Sequence, residues 1–187
     1  MIMEVQQLLL KGPALIIPDV HGDARGFFMN IYNKDVFAQA GISLDIVEHN
    51  QSHSGKGTIR GLHFQWDSPL SKLVRVMHGK AFFVAVDIRK KSPTRAQWVA
   101  HELSSENKKL LWVPFGFATG FCTLEENTDL EYYFSAHYNS KGESNIAWND
   151  PDIGILWPIQ NPLLSERDKN AQRLKEWFVR PESDFIC

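Results

Sequence analysis

Two strand-like runs in the middle of the chain carry polar residues where packing alone would favour apolar ones. Residues 57–65 include Arg60 and His63, and residues 72–76 include Lys72 and Arg75. Charged side chains are rarely buried without a partner or a function. Histidine changes its charge near neutral pH, and cations hold anions. We therefore expect a functional site in this part of the chain, with His63 as the leading candidate.

The expected strand 58–64 does not divide into one apolar and one polar face. Strand side chains alternate between faces, which places Gly61, His63 and Gln65 on one side and Arg60, Leu62 and Phe64 on the other. A solvated edge strand would also tolerate this mixture, and that interpretation stays open. A glycine inside a strand is typical of a bulge or bend. A bulge at Gly61 would bring Arg60 and His63 to the same side.

The expected strand 129–138 holds a second unusual residue. Alternation places Tyr132 with Leu130 and Phe134 on an apolar face. A buried tyrosine needs a partner for its hydroxyl. Tyr132 is therefore either core filler or a functional hydroxyl, and the pattern alone does not decide between them.

Length and composition indicate one globular domain over residues 1–187, with a core at about 13–170 and a C-terminal helix or tail at 171–187. The 187 residues are 43% hydrophobic and 22% charged, enough for a sizeable core but not for a second full domain. A net charge of −2 gives no general attraction to nucleic acid or anionic membrane. Any anion site must then be built locally, and we expect no nucleic-acid or membrane partner.

Cysteine usage and hydropathy indicate the compartment. Cys122 and Cys187 make neither a disulfide framework nor a zinc cluster. The apolar cluster at residues 8–10 is too short for a signal peptide, and no apolar run approaches the ~18 residues of a membrane span. We expect a reduced, soluble, cytoplasmic protein.

Runs rich in β-branched and aromatic residues follow at short intervals and indicate an all-β sandwich or barrel. Short helices are expected at 33–40, capped by Asn33 and stopped by Gly41, and at 166–177, where Ser165 and Asp168 match a capping box. Turns or linkers are expected at 21–23, 52–57 and 139–143. Strands are expected at residues 14–17, 26–32, 44–48, 58–64, 72–78, 81–88, 97–103, 109–114, 117–124 and 129–138.

A metal site is not expected. His49, His53 and His63, with Glu48 nearby, have side chains that suit first-row metals. Their spacing does not bring two imidazoles together on one strand, and His53 falls in a Ser/Gly-rich segment. Walker A, G-x-G-x-x-G, G-x-S-x-G and His-Glu-x-x-His motifs are absent from the sequence.

Nine motifs follow in order along the chain, at residues 22–28, 60–65, 72–75, 86–89, 92–94, 112–114, 116–118, 148–151 and 164–168. Together they resemble those of the dTDP-4-dehydrorhamnose 3,5-epimerase family. The resemblance implies a cupin-type jelly-roll barrel with short flanking helices and a homodimer that exchanges edge strands. It also implies a nucleotide-sugar substrate, neither cofactor nor metal, and epimerisation of a 4-keto-6-deoxy sugar.

The resemblance also implies roles for individual residues. His63 matches the base, Asp168 its carboxylate partner, Tyr132 the general acid, and Lys72 a cation at the substrate ketone. In that chemistry, protons beside a ketone are acidic enough for a histidine base. A cation stabilises the resulting enolate. The implied substrate-binding residues are Arg25, Asn30, Glu48, His49, Asn50, Arg60, Thr119, Tyr138, Glu143 and Arg167.

The chain departs from the family pattern in residues that would recognise the substrate. Asn30 replaces a usual glutamate, Glu48 and His49 replace a usual Gln-Asp or Gln-Glu pair, and Thr119 replaces a usual histidine. The nucleobase, the exact sugar and the number of inverted carbons are therefore open. The alternatives are an epimerase of carbon 3 alone on a dTDP-, CDP- or GDP-linked sugar, and a sugar-nucleotide-binding barrel without activity. Retention of base, acid, cation and carboxylate together argues against the binding barrel.

Overall fold

The computed structural model describes residues 3–186, which form β-strands with a few short helices. The helices are α1 (Lys34–Gln39), α2 (Glu166–Lys169) and α3 (Leu174–Phe178), with a 3₁₀ helix at Pro181–Phe185. The strands are β1 (Glu4–Gln7), β2 (Ala14–Ile17), β3 (Val20–Asp23), β4 (Gly26–Met29), β5 (Glu48–Ser54), β6 (Ile59–Gln65), β7 (Lys72–His78), β8 (Lys80–Asp87), β9 (Trp98–Ser104), β10 (Leu110–Val113), β11 (Phe117–Thr123), β12 (Thr128–Phe134) and β13 (Glu143–Asn145).

Two antiparallel sheets pack face to face as a cupin-type jelly roll, which confirms the predicted fold class. The larger sheet has the order β1-β2-β10-β7-β12-β5, and the smaller has the order β13-β6-β11-β8-β9. β3 and β4 form a separate two-stranded ribbon. A functional group on one sheet therefore faces a group on the other across the interior.

The interior between the sheets is apolar over most of its length. Val74 and Leu130 from the larger sheet pack in one cluster with Phe83 and Phe121 from the smaller. The last two form stacked rings 6.3 Å apart. Such packing excludes water and strengthens any electrostatic interaction within it.

The outer faces of both sheets are covered by other parts of the chain. Trp177 and Ile186, both fully buried, pack with Leu62 on the outside of the smaller sheet. Phe37 of α1 and Leu44 cover part of the larger sheet. The C-terminal segment is thus fixed against β6, which matters for the site described below.

The register of β6 against β11 shifts at Gly61, as the predicted bulge requires. Thr119 pairs with His63, whereas Phe121 pairs with Arg60. Gly61 has φ of +140°, and a Cβ atom there would lie 2.5 Å from the Cα of Gly120. Residue 61 is therefore restricted to glycine, and the shift turns both Arg60 and His63 toward the interior.

Several predicted element positions are wrong, each for a physical reason. Residues 21–23, predicted as a turn, pair with β4 as β3, and the turn lies at Ala24 and Arg25. The strand predicted at 44–48 instead occupies 48–54, because the polar residues of β5 are held by the ladder with β12 despite their low strand propensity. The strand predicted to reach 138 ends at Phe134. The helix predicted over 166–177 is divided by an extended segment in which Gln172 bridges to Ile146.

The structure describes one of the two cysteines and all of the helices between residues 3 and 186. Cys122 is a buried free thiol whose pKa is raised by burial to about 11, as expected of an inert core residue. Cys187 lies outside the described residues. Among residues 3–186, none of the helices is long and apolar enough to cross a membrane.

Candidate active site

A cavity of about 400 Å³ opens between the two sheets and collects many of the predicted site residues. Its walls combine aromatic side chains with convergent polar groups, which is typical of small-molecule sites. The lining residues are Glu48, Asn50, Gln51, Ser52, Arg60, His63, Lys72, Phe83, Thr119, Gly120, Phe121, Tyr132, Phe134, Tyr138 and Glu143.

His63 and Asp168 are hydrogen-bonded across 105 residues of sequence. Nε2 of His63 lies 2.6 Å from Oδ1 of Asp168, whose side chain is 3% exposed. Burial raises the pKa of the Asp168 carboxyl, but the His63 and Ser165 hydrogen bonds and nearby positive charge outweigh it and hold that pKa below its usual value. The ionised carboxylate therefore accepts the Nε2 proton. Nδ1 then carries the lone pair that a base requires.

Asp168 also belongs to the cap of α2. The backbone N–H of Asp168 donates to Oγ of Ser165 at 3.1 Å, and that hydroxyl donates to Oδ2 of Asp168 at 2.9 Å. The capping prediction and the pairing with His63 are thus both compatible with the same side chain. The cap fixes the carboxylate, and the carboxylate orients the imidazole.

Tyr132 lies on the opposite sheet from His63. It is on the interior face of β12 beside the apolar cluster, and its hydroxyl lies 3.1 Å from Oγ of Ser52 on the neighbouring β5. Burial raises the pKa of Tyr132 to about 12, with smaller opposing effects of Ser52 and Arg60. The phenol is therefore protonated at neutral pH and available as an acid.

Lys72 places its side-chain amine in the wall of the cavity. Its Nζ donates to Oγ1 of Thr119 at 2.9 Å and lies 5.7 Å from the centre of the Phe134 ring. Burial lowers the pKa of Lys72 to about 8, with a smaller opposing effect of the Glu143 charge. An ammonium in this low-dielectric position is suited to stabilising a developing oxyanion.

Polar contacts connect the residues at the cavity rim. Tyr138 donates from its hydroxyl to Oε2 of Glu143 at 2.8 Å, and Arg167 donates to the same oxygen at 2.7 Å. Glu48 accepts from the Asn50 amide at 2.7 Å and from the backbone N–H of Tyr138 at 3.1 Å. The Asn50 and Tyr138 hydrogen bonds lower the pKa of Glu48, so the rim presents a carboxylate.

Arg60 supplies a second positive charge at the opening. Its Nε donates to Oγ of Ser54 at 3.1 Å, and its NH2 group donates to the carbonyl of His53 at 3.0 Å. Its guanidinium is exposed and borders the cavity. This position suits a phosphate group, because a guanidinium can donate two parallel hydrogen bonds to it.

Within one chain, three predicted binding residues lie away from the cavity. Arg25 is at the exposed tip of the β3–β4 ribbon, paired with Asp23. Asn30 lines a separate small cleft with Asp19 and other residues. His49 lies on the outer face of β5, where its ring stacks on Tyr133.

Arg75, the other cation of the first polar runs, also lies on the outer face of the larger sheet. Its Nε donates to Oε2 of Glu131 at 2.9 Å, and that carboxylate also accepts from the Tyr133 hydroxyl at 2.9 Å. Arg75 is therefore paired structurally, as a buried charge must be.

Sequence reasoning missed six lining residues: Gln51, Ser52, Phe83, Gly120, Phe121 and Phe134. Ser52 could have been recognised from strand alternation. Every second residue of β5 shares one face, and that face carries Glu48, Asn50, Ser52 and Ser54. A Ser- and Gly-rich composition suggested a loop instead. The phenylalanines resemble ordinary core residues in sequence.

Known proteins match this chain over most of its length. A family profile for dTDP-4-dehydrorhamnose 3,5-epimerase matches residues 7–176. A dTDP-4-dehydrorhamnose 3,5-epimerase from Shigella flexneri is 49% identical over 166 residues, which cover 87% of this chain and 92% of the relative.

Solved structures of epimerases are also similar to this chain, in both sequence and fold. A dTDP-6-deoxy-D-glucose-3,5-epimerase from Legionella pneumophila Philadelphia 1, in complex with dTDP-4-keto-L-rhamnose, is 39% identical with a TM-score of 0.89, covering 92% of this chain and 93% of its own. A dTDP-4-dehydrorhamnose 3,5-epimerase from Bacillus anthracis str. Ames, with TDP and PPi bound, is 41% identical with a TM-score of 0.89, covering 92% and 99%.

The hydrogen bond between His63 and Asp168 should be measurable as a coupling free energy. A double-mutant cycle of His63→Ala and Asp168→Ala, followed by urea unfolding, should give a coupling of about 1–3 kcal/mol, because a hydrogen bond to a charged group is involved. His63→Ala paired with Ser43→Ala is the control, since Ser43 is exposed and lies outside both the α2 cap and the cavity. Additive effects in both cycles would contradict the bond.

The amine of Lys72 should titrate far below an ordinary lysine. NMR of labelled lysine side chains should show one ammonium with a pKa of about 8. Glu143→Gln should lower that pKa further, because it removes the charge that favours the ammonium. Glu102→Gln, a carboxylate outside the cavity, should leave it unchanged. A Lys72 titration above pH 10 would show that the amine is not desolvated.

Proposed function

Because this chain belongs to the dTDP-4-dehydrorhamnose 3,5-epimerase family, we propose that its cavity inverts carbons 3 and 5 of a dTDP-linked 4-keto-6-deoxyhexose. The chain is an isomerase of deoxysugar biosynthesis that acts on a nucleotide sugar. The observation that carries the residue assignments is the placement of a base and an acid on facing sheets. Inversion needs a proton removed from one face of a carbon and a proton added to the other.

His63 is the base in this proposal. The ketone at carbon 4 acidifies the protons on carbons 3 and 5. Nδ1 of His63 takes one of these protons, while Asp168 holds the ring in the required tautomer and stabilises the imidazolium. The 2.6 Å hydrogen bond and the burial of Asp168 support this pairing.

Lys72 stabilises the enolate that proton abstraction leaves. Its ammonium is buried near Thr119 and Phe134, where a charge interacts strongly with a developing oxyanion. Tyr132 then delivers a proton from the opposite wall. Its raised pKa keeps the hydroxyl protonated until the enolate is ready to accept.

The remaining cavity residues hold the nucleotide in this proposal. Arg60 binds the diphosphate at the opening, and the ring of Tyr138, 53% exposed, is available for stacking on the base. Glu48 can accept the ring N–H of thymine. Asn30 and Glu48 line separate cavities within one chain, so a shared contact with the base would require Asn30 from the other copy in the proposed dimer.

An epimerase of carbon 3 alone would use the same base and acid, so only product analysis separates it from the double epimerase. A silent binding barrel is a poorer fit. A protein that only binds its ligand has no need for a buried ammonium, an imidazole–carboxylate pair and a buried phenol around one cavity.

The chain acts as a homodimer in this proposal. The β3–β4 ribbon pairs only with itself among the described residues and leaves Phe27 and Phe28 58% and 62% exposed. Isolated two-stranded ribbons are marginally stable, and exposed aromatic patches mark interfaces. β5 is an edge strand whose ladder is open on one side. Docking of the ribbon on a second copy would carry Arg25 toward that copy's cavity.

Proton exchange tests the chemistry directly. A proton NMR time course in heavy water with dTDP-4-keto-6-deoxyglucose should show exchange and inversion at both carbons. His63→Ala should lose exchange by roughly 10²–10⁴-fold, as expected for a general base, and Asp168→Ala should reduce it strongly in a folded protein. Tyr132→Phe should retain exchange but lose inverted product.

The control in this series is Lys175→Ala, an exposed residue on α3, which should behave as wild type. Wild-type exchange in His63→Ala, or normal product from Tyr132→Phe, would remove the corresponding role. Inversion at carbon 3 alone would support the alternative epimerase.

Subunit mixing tests the dimer and the place of Arg25. Arg25→Ala and His63→Ala should each be impaired. In mixed dimers, the intact His63 receives Arg25 from the other subunit, so activity should reappear. Phe27→Asp with Phe28→Asp should give monomers by analytical ultracentrifugation. Mixtures that stay inactive despite subunit exchange would mean that Arg25 does not act across the interface.

A further inference from the structure

The proposed reaction leaves the enzyme in an altered protonation state after each inversion. His63 gains the proton removed from carbon, and Tyr132 loses a proton to the opposite face of that carbon. The sugar therefore has no net gain or loss, while the enzyme holds an imidazolium and a phenolate. One proton must leave His63 and one must reach Tyr132 before the next inversion.

His63 has two routes to water. It borders the main cavity and also a second cavity of about 340 Å³ on the side of Asp168, lined in addition by Thr58, Ser165 and other residues. His63 is therefore not sealed from solvent while a sugar fills the main cavity.

Tyr132 is placed differently. It packs against the apolar cluster between the sheets, and within the described chain its hydroxyl is hydrogen-bonded to Oγ of Ser52 at 3.1 Å. A bound sugar would cover the side of the phenol that faces the cavity. The Ser52 hydroxyl is then the polar group through which a proton can reach the phenolate.

Ser52 is suited to this task by its position. Its side chain is partly exposed at the cavity wall, next to Gln51. A serine hydroxyl donates one hydrogen bond while accepting others. It can therefore pass a proton on without holding a charge.

We propose that Ser52 acts through Tyr132 as a proton relay, which returns a proton from water to the Tyr132 phenolate after each inversion. The inference rests on the acid role proposed above for Tyr132. The Ser52 O–H bond breaks as its proton moves to the phenolate oxygen, and Oγ takes a proton from water. The proton released by His63 neutralises the hydroxide, so the cycle closes without net change.

The basicity of the phenolate favours this transfer. The pKa of Tyr132 is raised to about 12 by burial, so the phenolate captures a proton readily once a connected donor is present. Without Ser52, the Tyr132 phenolate would regain its proton only after the sugar leaves and water enters the cavity.

Comparison of one turnover with many turnovers tests the relay. With Ser52→Ala in excess over dTDP-4-keto-6-deoxyglucose, rapid quenching should show the first inversion within about twofold of wild type, because Tyr132 starts protonated. Inversion of the second carbon and the steady-state rate should both fall at least about tenfold, as expected for loss of a proton donor. Ser52→Thr retains the hydroxyl and should restore the steady-state rate.

The control is Ser43→Ala, an exposed serine outside the cavity, which should behave as wild type. Equal loss of the first inversion and of the steady-state rate would mean that Ser52 only positions Tyr132, and it would overturn the relay. Unchanged kinetics in Ser52→Ala, or no recovery in a folded Ser52→Thr, would overturn it as well. A wild-type enzyme that neither exchanges nor inverts would remove the proposed function itself.

Discussion

The close contact between β6 and β11 at Gly61 is the constraint on which the site depends. Any side chain there would collide with the backbone of Gly120. The accompanying shift in register turns two residues three positions apart toward the same interior, although a regular strand would place them on opposite faces. The imidazole then reaches Asp168, and the guanidinium reaches the opening. Loss of this one glycine would therefore disturb the positions of His63 and Arg60 together.

The sequence predicted the parts of this site that obey strand periodicity. The apolar face of Tyr132, the bulge at Gly61 and the strand 72–78 follow from alternation and glycine chemistry, and the structure confirms them. β5 was not predictable in the same way. Its Ser, Asn and His residues have low strand propensity, and their extended conformation comes from pairing with β12.

Long-range contacts account for the other misses. The bond between His63 and Asp168 joins residues 105 apart, and no local pattern distinguishes it from a helix cap. It exists because Trp177 and its neighbours fix the C-terminal segment against the smaller sheet. Arg25 lies at the exposed tip of the β3–β4 ribbon and Asn30 lines a separate cleft, and no local sequence pattern predicts either placement.

The lowered pKa of Lys72 affects whether its amine can react covalently with a ketone in the cavity. A neutral primary amine next to a ketone condenses with it to form an imine, and a lysine freed from its proton by desolvation is the usual partner in such adducts. Since the pKa of Lys72 is about 8, both the ammonium and the neutral amine are populated near neutral pH. The charge of Glu143 favours the ammonium, and Thr119 occupies one of its hydrogens. These two neighbours thus favour the ammonium over the nucleophilic free amine, which in the proposed reaction limits covalent capture of the ketone.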